Sequence, residues 1–178
     1  YTPVSVKVAV TYVDSDNKGE IVGSDSTNVN YNSTLSYTPD ITKVTNGNFY
    51  MLASGQAGVV SQKVASTDQI NLTIQVAHKI GTISSFDKLP TGVTITNNDG
   101  SFLTAADFSN TVTRTINYNY QDGTSLADSY VQFVTFARSI SYDMVTNKVT
   151  TLGDWTPVAG QSAQMEAITS PVINGYNV

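Results

Sequence analysis

The chain has 178 residues, enough for one ordinary domain or for two small ones with thin cores. Only 13% of its residues are charged and the net charge is -5, so it carries no basic field for nucleic acid or an anionic membrane surface. The absence of cysteine removes disulfides, thiolate metal sites and cysteine nucleophiles, and no apolar run is long enough to cross a bilayer as a helix.

In chain order, Val4, Val6, Val8, Val10 and Tyr12 alternate with Ser5, Lys7, Ala9 and Thr11, which is how a half-buried strand is written. Asp14, Asp16, Lys18 and Gly19 follow as a polar turn, and Glu20 to Gly23 begin the return. Residues 24–32 show no period and read as a loop or a ragged edge strand, and Asn32 to Leu35 as a short capped helical turn. Asn46-Gly47 marks a turn into a short apolar strand from Phe49 to Leu52. Ile70, Leu72, Ile74 and Val76 then alternate with polar residues in a second clean strand, whose apolar face His78 continues.

Residues 81–108 lack that regularity and read as the connection between two modules, with 93–95 as an edge strand and 104–108 as a helical turn. Val112, Ile116, Tyr118 and Tyr120 again fall on one side of a period-2 strand, broken only by Arg114, and Asp122-Gly123 supplies the tight reversal. Residues 130–140 are apolar on both faces, as in a covered central strand or a bulged one. Asn147-Lys148 reads as a hairpin tip and 161–167 as the best helix, ended by Pro171. Both halves run strand, acidic or Asp-Gly turn, polar middle, Asn-Gly and aromatic residue, which suggests two related modules in tandem.

The latter part of the chain resembles the mucin-binding (MucBP-type) modules in the mucus-binding repeats of adhesins on Gram-positive gut bacteria. The residues that carry the likeness are Arg114, Ile116 and Tyr118, then Asp122-Gly123, Phe136 with Arg138, Asp143 with Val145-Thr146, Asp154-Trp155, and Ser170-Pro171 through Ile173 to Gly175-Tyr176. The first two thirds are more loosely similar to the companion module that precedes the mucin-binding one. The resemblance implies an α+β, mostly β architecture of two small β-grasp, ubiquitin-like modules in an elongated arrangement. Residues 1–108 are expected to form the first module with its connecting segment, and residues 109–178 the second.

Several candidate sites stand beside plainer readings. His78 is the only histidine, so paired-histidine chemistry is excluded, and a lone histidine ending an apolar strand face reads first as a packing residue. Asp14 and Asp16 open like a calcium loop, but Lys18 stands where a third oxygen ligand is wanted, so a solvated turn is preferred to a metal site. Asp122, Asp128, Asp143, Asp154 and Glu166 could supply paired carboxylates, yet no spacing selects a pair. Trp155, the only tryptophan, reads either as a sugar-stacking ring beside Asp154 or as a core aromatic that pins a hairpin end, and the core reading is preferred. Arg138 and Arg114 read first as ion-pair or sheet-face residues.

The resemblance therefore implies a non-catalytic adhesin repeat on the bacterial cell surface, anchored to the cell wall through its parent protein. Its expected partner is host mucin glycoprotein, with Asp154, Trp155, Arg138 and Tyr176 as ligand residues. No cofactor, nucleic acid or membrane insertion is expected. Immunoglobulin binding by edge-strand addition, and a pure spacer role, are the alternatives. No signal peptide opens the sequence, so targeting signals are expected in polypeptide beyond it.

Overall fold

The computed structural model describes residues 2–175, and its regular structure is mostly β. By backbone contacts it divides into two compact units. The first runs to Gly81 and also takes in Asp143–Lys148, and the second holds Thr82–Tyr142 and resumes at Val149. Residues 82–108, which the sequence presents as connection, cluster with the second unit.

In the first unit, β1 (Ser5–Asp14) and β2 (Glu20–Asn30) form an antiparallel hairpin. β1 lies parallel to β6 (Ile70–His78), and β4 (Tyr50–Leu52) closes the sheet in the order β2-β1-β6-β4. A small second sheet pairs β3 (Thr34–Tyr37) with β5 (Val60–Lys63). Strict alternation on β1 and β6 puts Val6, Val8, Val10 and Tyr12 beside Leu72, Ile74 and Val76 in one core, joined by Leu35, Tyr37, Val44, Tyr50 and Val64. Each such side chain contributes about 1.5–3 kcal/mol by leaving water.

Residues 24–32 are mostly an edge strand rather than a loop. They lack a period because β2 is largely exposed, and the backbone ladder to β1 holds them instead. The expected helical turn at 32–35 is absent: Asn32 takes a positive φ and the chain enters β3. Gly47 is needed for close approach, because a Cβ there would stand 2.2 Å from the carbonyl oxygen of Ile41.

In the second unit, β8 (Ser109–Asn119) and β9 (Ser125–Ala137) form the long hairpin, and β12 (Thr156–Pro157) extends the sheet in the order β12-β9-β8. β9 is thus central in its sheet, and the ladder it shares with β8 is bulged near Tyr118. A further sheet, most of whose residues fall in this unit, has the order β11-β10-β7, from β7 (Ile80–Ile83), β10 (Ile140–Asp143) and β11 (Lys148–Leu152); Asn147, of the first unit, takes a positive φ in the β10–β11 reversal. Ile83, Ile95, Leu103, Phe108, Val134, Ile140, Tyr142 and Val149 are the buried apolar side chains of this unit.

Residues 104–108 turn as expected, in a 3-10 piece at Ala105–Asp107 whose Asp107 carboxylate accepts the Thr104 amide at 2.7 Å. Residues 93–95 are not a strand; only the isolated bridge Thr96 to Phe102 forms there. Residues 161–167 are not helical, since one or two turns without a packed apolar stripe do not meet the cost of helix nucleation. Among the described residues the helical content is limited to 3-10 pieces of three residues each.

Candidate functional site

The buried register of β1 ends on Asp14 and that of β6 on His78. Because the two strands are parallel and Asp14 pairs with Val76, both side chains reach the same end of the sheet. His78 Nε2 stands 2.8 Å from Asp14 Oδ2, and its Nδ1 stands 2.6 Å from Asp143 Oδ2. The Tyr50 hydroxyl donates to the same Asp14 oxygen at 3.3 Å, with its ring edge-on to the imidazole. Asp14 Oδ1 accepts the backbone amides of Asp16 and Asn17 at 2.9 and 3.2 Å. Asp143 Oδ1 likewise accepts those of Val145 and Thr146 at 2.8 and 3.0 Å.

Asp14 is therefore not part of a solvated turn. It is 2% exposed, and its oxygens organise the turn from inside, whereas Asp16 is exposed and uses its carboxylate to accept the His78 amide at 2.7 Å. Nor is His78 an apolar packing residue, because it is the hydrogen-bonded centre of a buried polar cluster. Burial pushes the His78 pKa down, but the hydrogen bonds and charges of Asp143 and Asp14 outweigh it and hold the ring above its ordinary value. Burial likewise raises Asp143, and the donors from His78, Thr146 and Val145 overcome it, holding that carboxyl below the usual range. Burial and the Asp14 charge push Tyr50 up to about 12.

Asp14, Asp16 and His78 present ligand atoms within 4.8 Å of one another. The Asp14 oxygens and both His78 nitrogens are already committed to hydrogen bonds, so a cation would have to displace existing partners.

In the second unit, β9 runs into Arg138, and the β12 strand brings Trp155 beside it. The guanidinium carbon of Arg138 lies 4.4 Å from the centroid of the indole ring, a cation–π stack. Arg138 Nε donates to the carbonyl of Asp107 at 2.7 Å, and its own amide donates to the carbonyl of Phe108. Trp155 remains 40% exposed, so it is not the core aromatic that the hairpin end was expected to hold. The two-residue β12 offers too little cover to bury an indole. Asp154 is exposed beside it, and Tyr176 lies outside the described residues. Arg114 is a sheet-face residue, donating to Gln132 and to the carbonyl of Glu166.

Residues 103–178 match the family model described as the Muc B2-like domain. Arg138, Trp155 and Asp107 all lie inside it, whereas Asp14 and His78 precede it. The chain is similar to the solved structure described as the crystal structure of Mub-RV, with a TM-score of 0.53 and 22% identity over 97% of this chain and 84% of that one. That likeness is one of fold, and it extends to the residues ahead of those that match the family model. A second similar structure is the type 2 repeat of the mucus binding protein MUB from Lactobacillus reuteri, at 26% identity, 97% and 85% coverage and a TM-score of 0.42. No curated protein matches the sequence.

The His78 cluster is the feature that sequence reasoning missed. The alternation of β6 already carries His78 on its apolar face, and extending that of β1 by one step would have placed Asp14 on the buried face as well. Nothing local could have brought in Asp143, which is 65 residues from His78 in the chain.

Proposed function

We propose that the chain is a non-catalytic repeat of a bacterial surface adhesin that holds host mucin glycoprotein, weakly per repeat and multivalently in the parent protein. The observation that carries this reading is the Muc B2-like match, which covers the residues that resemble mucin-binding modules and includes the half-exposed Arg138–Trp155 pair. The exposed indole offers an apolar face for a sugar ring, and Asp154 beside it offers an acceptor for sugar hydroxyls. The architecture that fits best is two tandem β-grasp modules. In support, the first unit has its long strands β1 and β6 parallel at the centre and antiparallel strands outside. Display outside the cell, with wall attachment through the parent protein, follows from the adhesin reading.

The test is binding of a tethered array of the chain to immobilised mucin with Trp155→Ala and Arg138→Ala variants. The expected result is at least a fivefold loss of bound array with the unfolding midpoint nearly unchanged, and inhibition of the parent array by free mucin glycans. Undiminished binding by both variants would remove this pair from the site. Equal capture by a polyclonal immunoglobulin surface would point to the edge-strand alternative, and no capture at any valency to a spacer.

A further inference from the structure

We propose that His78 is a pH-sensitive clip: as an imidazolium it ties the Asp143–Lys148 segment to the end of β1 and β6, and on losing its proton it lets that segment open. A neutral imidazole has one N–H and one lone pair, yet here both ring nitrogens face carboxylate oxygens, at 2.8 Å to Asp14 and 2.6 Å to Asp143. Both contacts are attractive only when both nitrogens carry hydrogen. Removing one proton turns one of the two into a lone pair facing a charged oxygen, in a place where the histidine side chain is only 5% exposed.

The geometry decides which contact fails. Asp14 Oδ2 keeps a second donor in the Tyr50 hydroxyl and is sealed from water at 2% exposure, so the remaining N–H stays with it. Asp143 is 17% exposed and can exchange its imidazole partner for water. The remaining surroundings favour the imidazolium. From the β1–β2 turn Asp16 accepts the His78 amide, and from β2 Glu20 lines the same cavity of about 360 Å³, whose lining holds no lysine or arginine. Just past the end of β6, Lys79 donates from its ammonium to the carbonyl of Asn48. The backbone bond from Met144 to the Lys79 carbonyl persists, so the segment loosens beyond residue 144 rather than detaching. Val145 and Thr146, which line the cavity, are the residues set free.

Because His78 is the only histidine, its ring resonance is unambiguous in the full chain. Proton NMR of that ring and amide hydrogen exchange should be followed together from pH 5 to 9. The ring should titrate above 6.5. Through the same titration, protection of the Val145 and Thr146 amides, corrected for intrinsic exchange, should fall on the order of tenfold. The Asp16 and Asn17 amides should stay protected. D143N removes the charge while keeping an acceptor for the two amides, and it should bring the ring midpoint down and abolish the pH dependence at 145 and 146. Constant protection at 145 and 146 through the ring titration, or an unmoved midpoint in D143N, would overturn the clip.

Discussion

Asp107 and Arg138 are joined by a 2.7 Å hydrogen bond from the arginine Nε to the aspartate carbonyl, which fixes the guanidinium over Trp155. The Asp107 carboxylate folds back to accept the amide and hydroxyl of Thr104, so the turn that presents this carbonyl is held by its own first residue. Asp107→Ala should therefore cost about 1 kcal/mol as a lost cap. It should also disturb Trp155 without touching it. Since Trp155 is the only tryptophan, greater quenching of its fluorescence by iodide is the readout, and unchanged quenching would show that Arg138 is held by other means.

Arg138→Ala should uncover the indole directly. An exposed cation–π pair is worth about 0.5–1 kcal/mol, so the urea midpoint should move only slightly while the emission shifts to the red. A large loss of stability would mean that Arg138 is a structural strut of the hairpin instead.

His78→Ala leaves Asp14 and Asp143 facing one another without the cation between them. Breaking a buried pair in this way costs about 3–5 kcal/mol, measurable by urea unfolding at pH 6. The pH dependence follows from two shifts of opposite sign. His78 is raised in the folded state, so its contribution is complete below its unfolded value of 6.5 and is lost as pH climbs through the folded value. Asp143 is lowered, so its contribution is complete above 3.8 and is lost as pH falls through its folded value. This cluster contributes most between these limits, and the stability of the parent chain should decline from pH 6 to pH 9 more steeply than that of His78→Ala.

Gly47→Ala tests the close approach of two backbone segments in the first unit. Its Cβ would meet the Ile41 carbonyl oxygen at 2.2 Å, so the turn between them must move, at a cost of about 1–3 kcal/mol. Gly55→Ala makes a useful contrast, because no atom lies within 4 Å there and only its φ of +84° opposes the change.

The strands that bury one face were legible in the sequence. Val6 to Tyr12 and Leu72 to Val76 announce themselves by alternation because one side meets the core and the other meets water. β2, an edge strand, and the start of β9, which β12 does not reach, were not, since an uncovered edge leaves composition free on both faces and only the backbone ladder defines them. Phe133 is 63% exposed although its run reads as a covered strand or a bulged one, so apolar identity there does not report burial. Arg138 and Trp155 stand out in the sequence as candidates, but their stacking depends on β12 pairing with β9, which no local pattern encodes. The His78 cluster depends in the same way on parallel pairing of β1 with β6 and on a segment far along the chain.

The proposed function is that the chain holds mucin through its glycans. The most direct measurement is capture of the chain, as a monomer and as a tethered array, on mucin before and after enzymatic removal of its glycans. The array should bind far more strongly than the monomer, and deglycosylation should abolish capture. Capture that survives deglycosylation undiminished would contradict it.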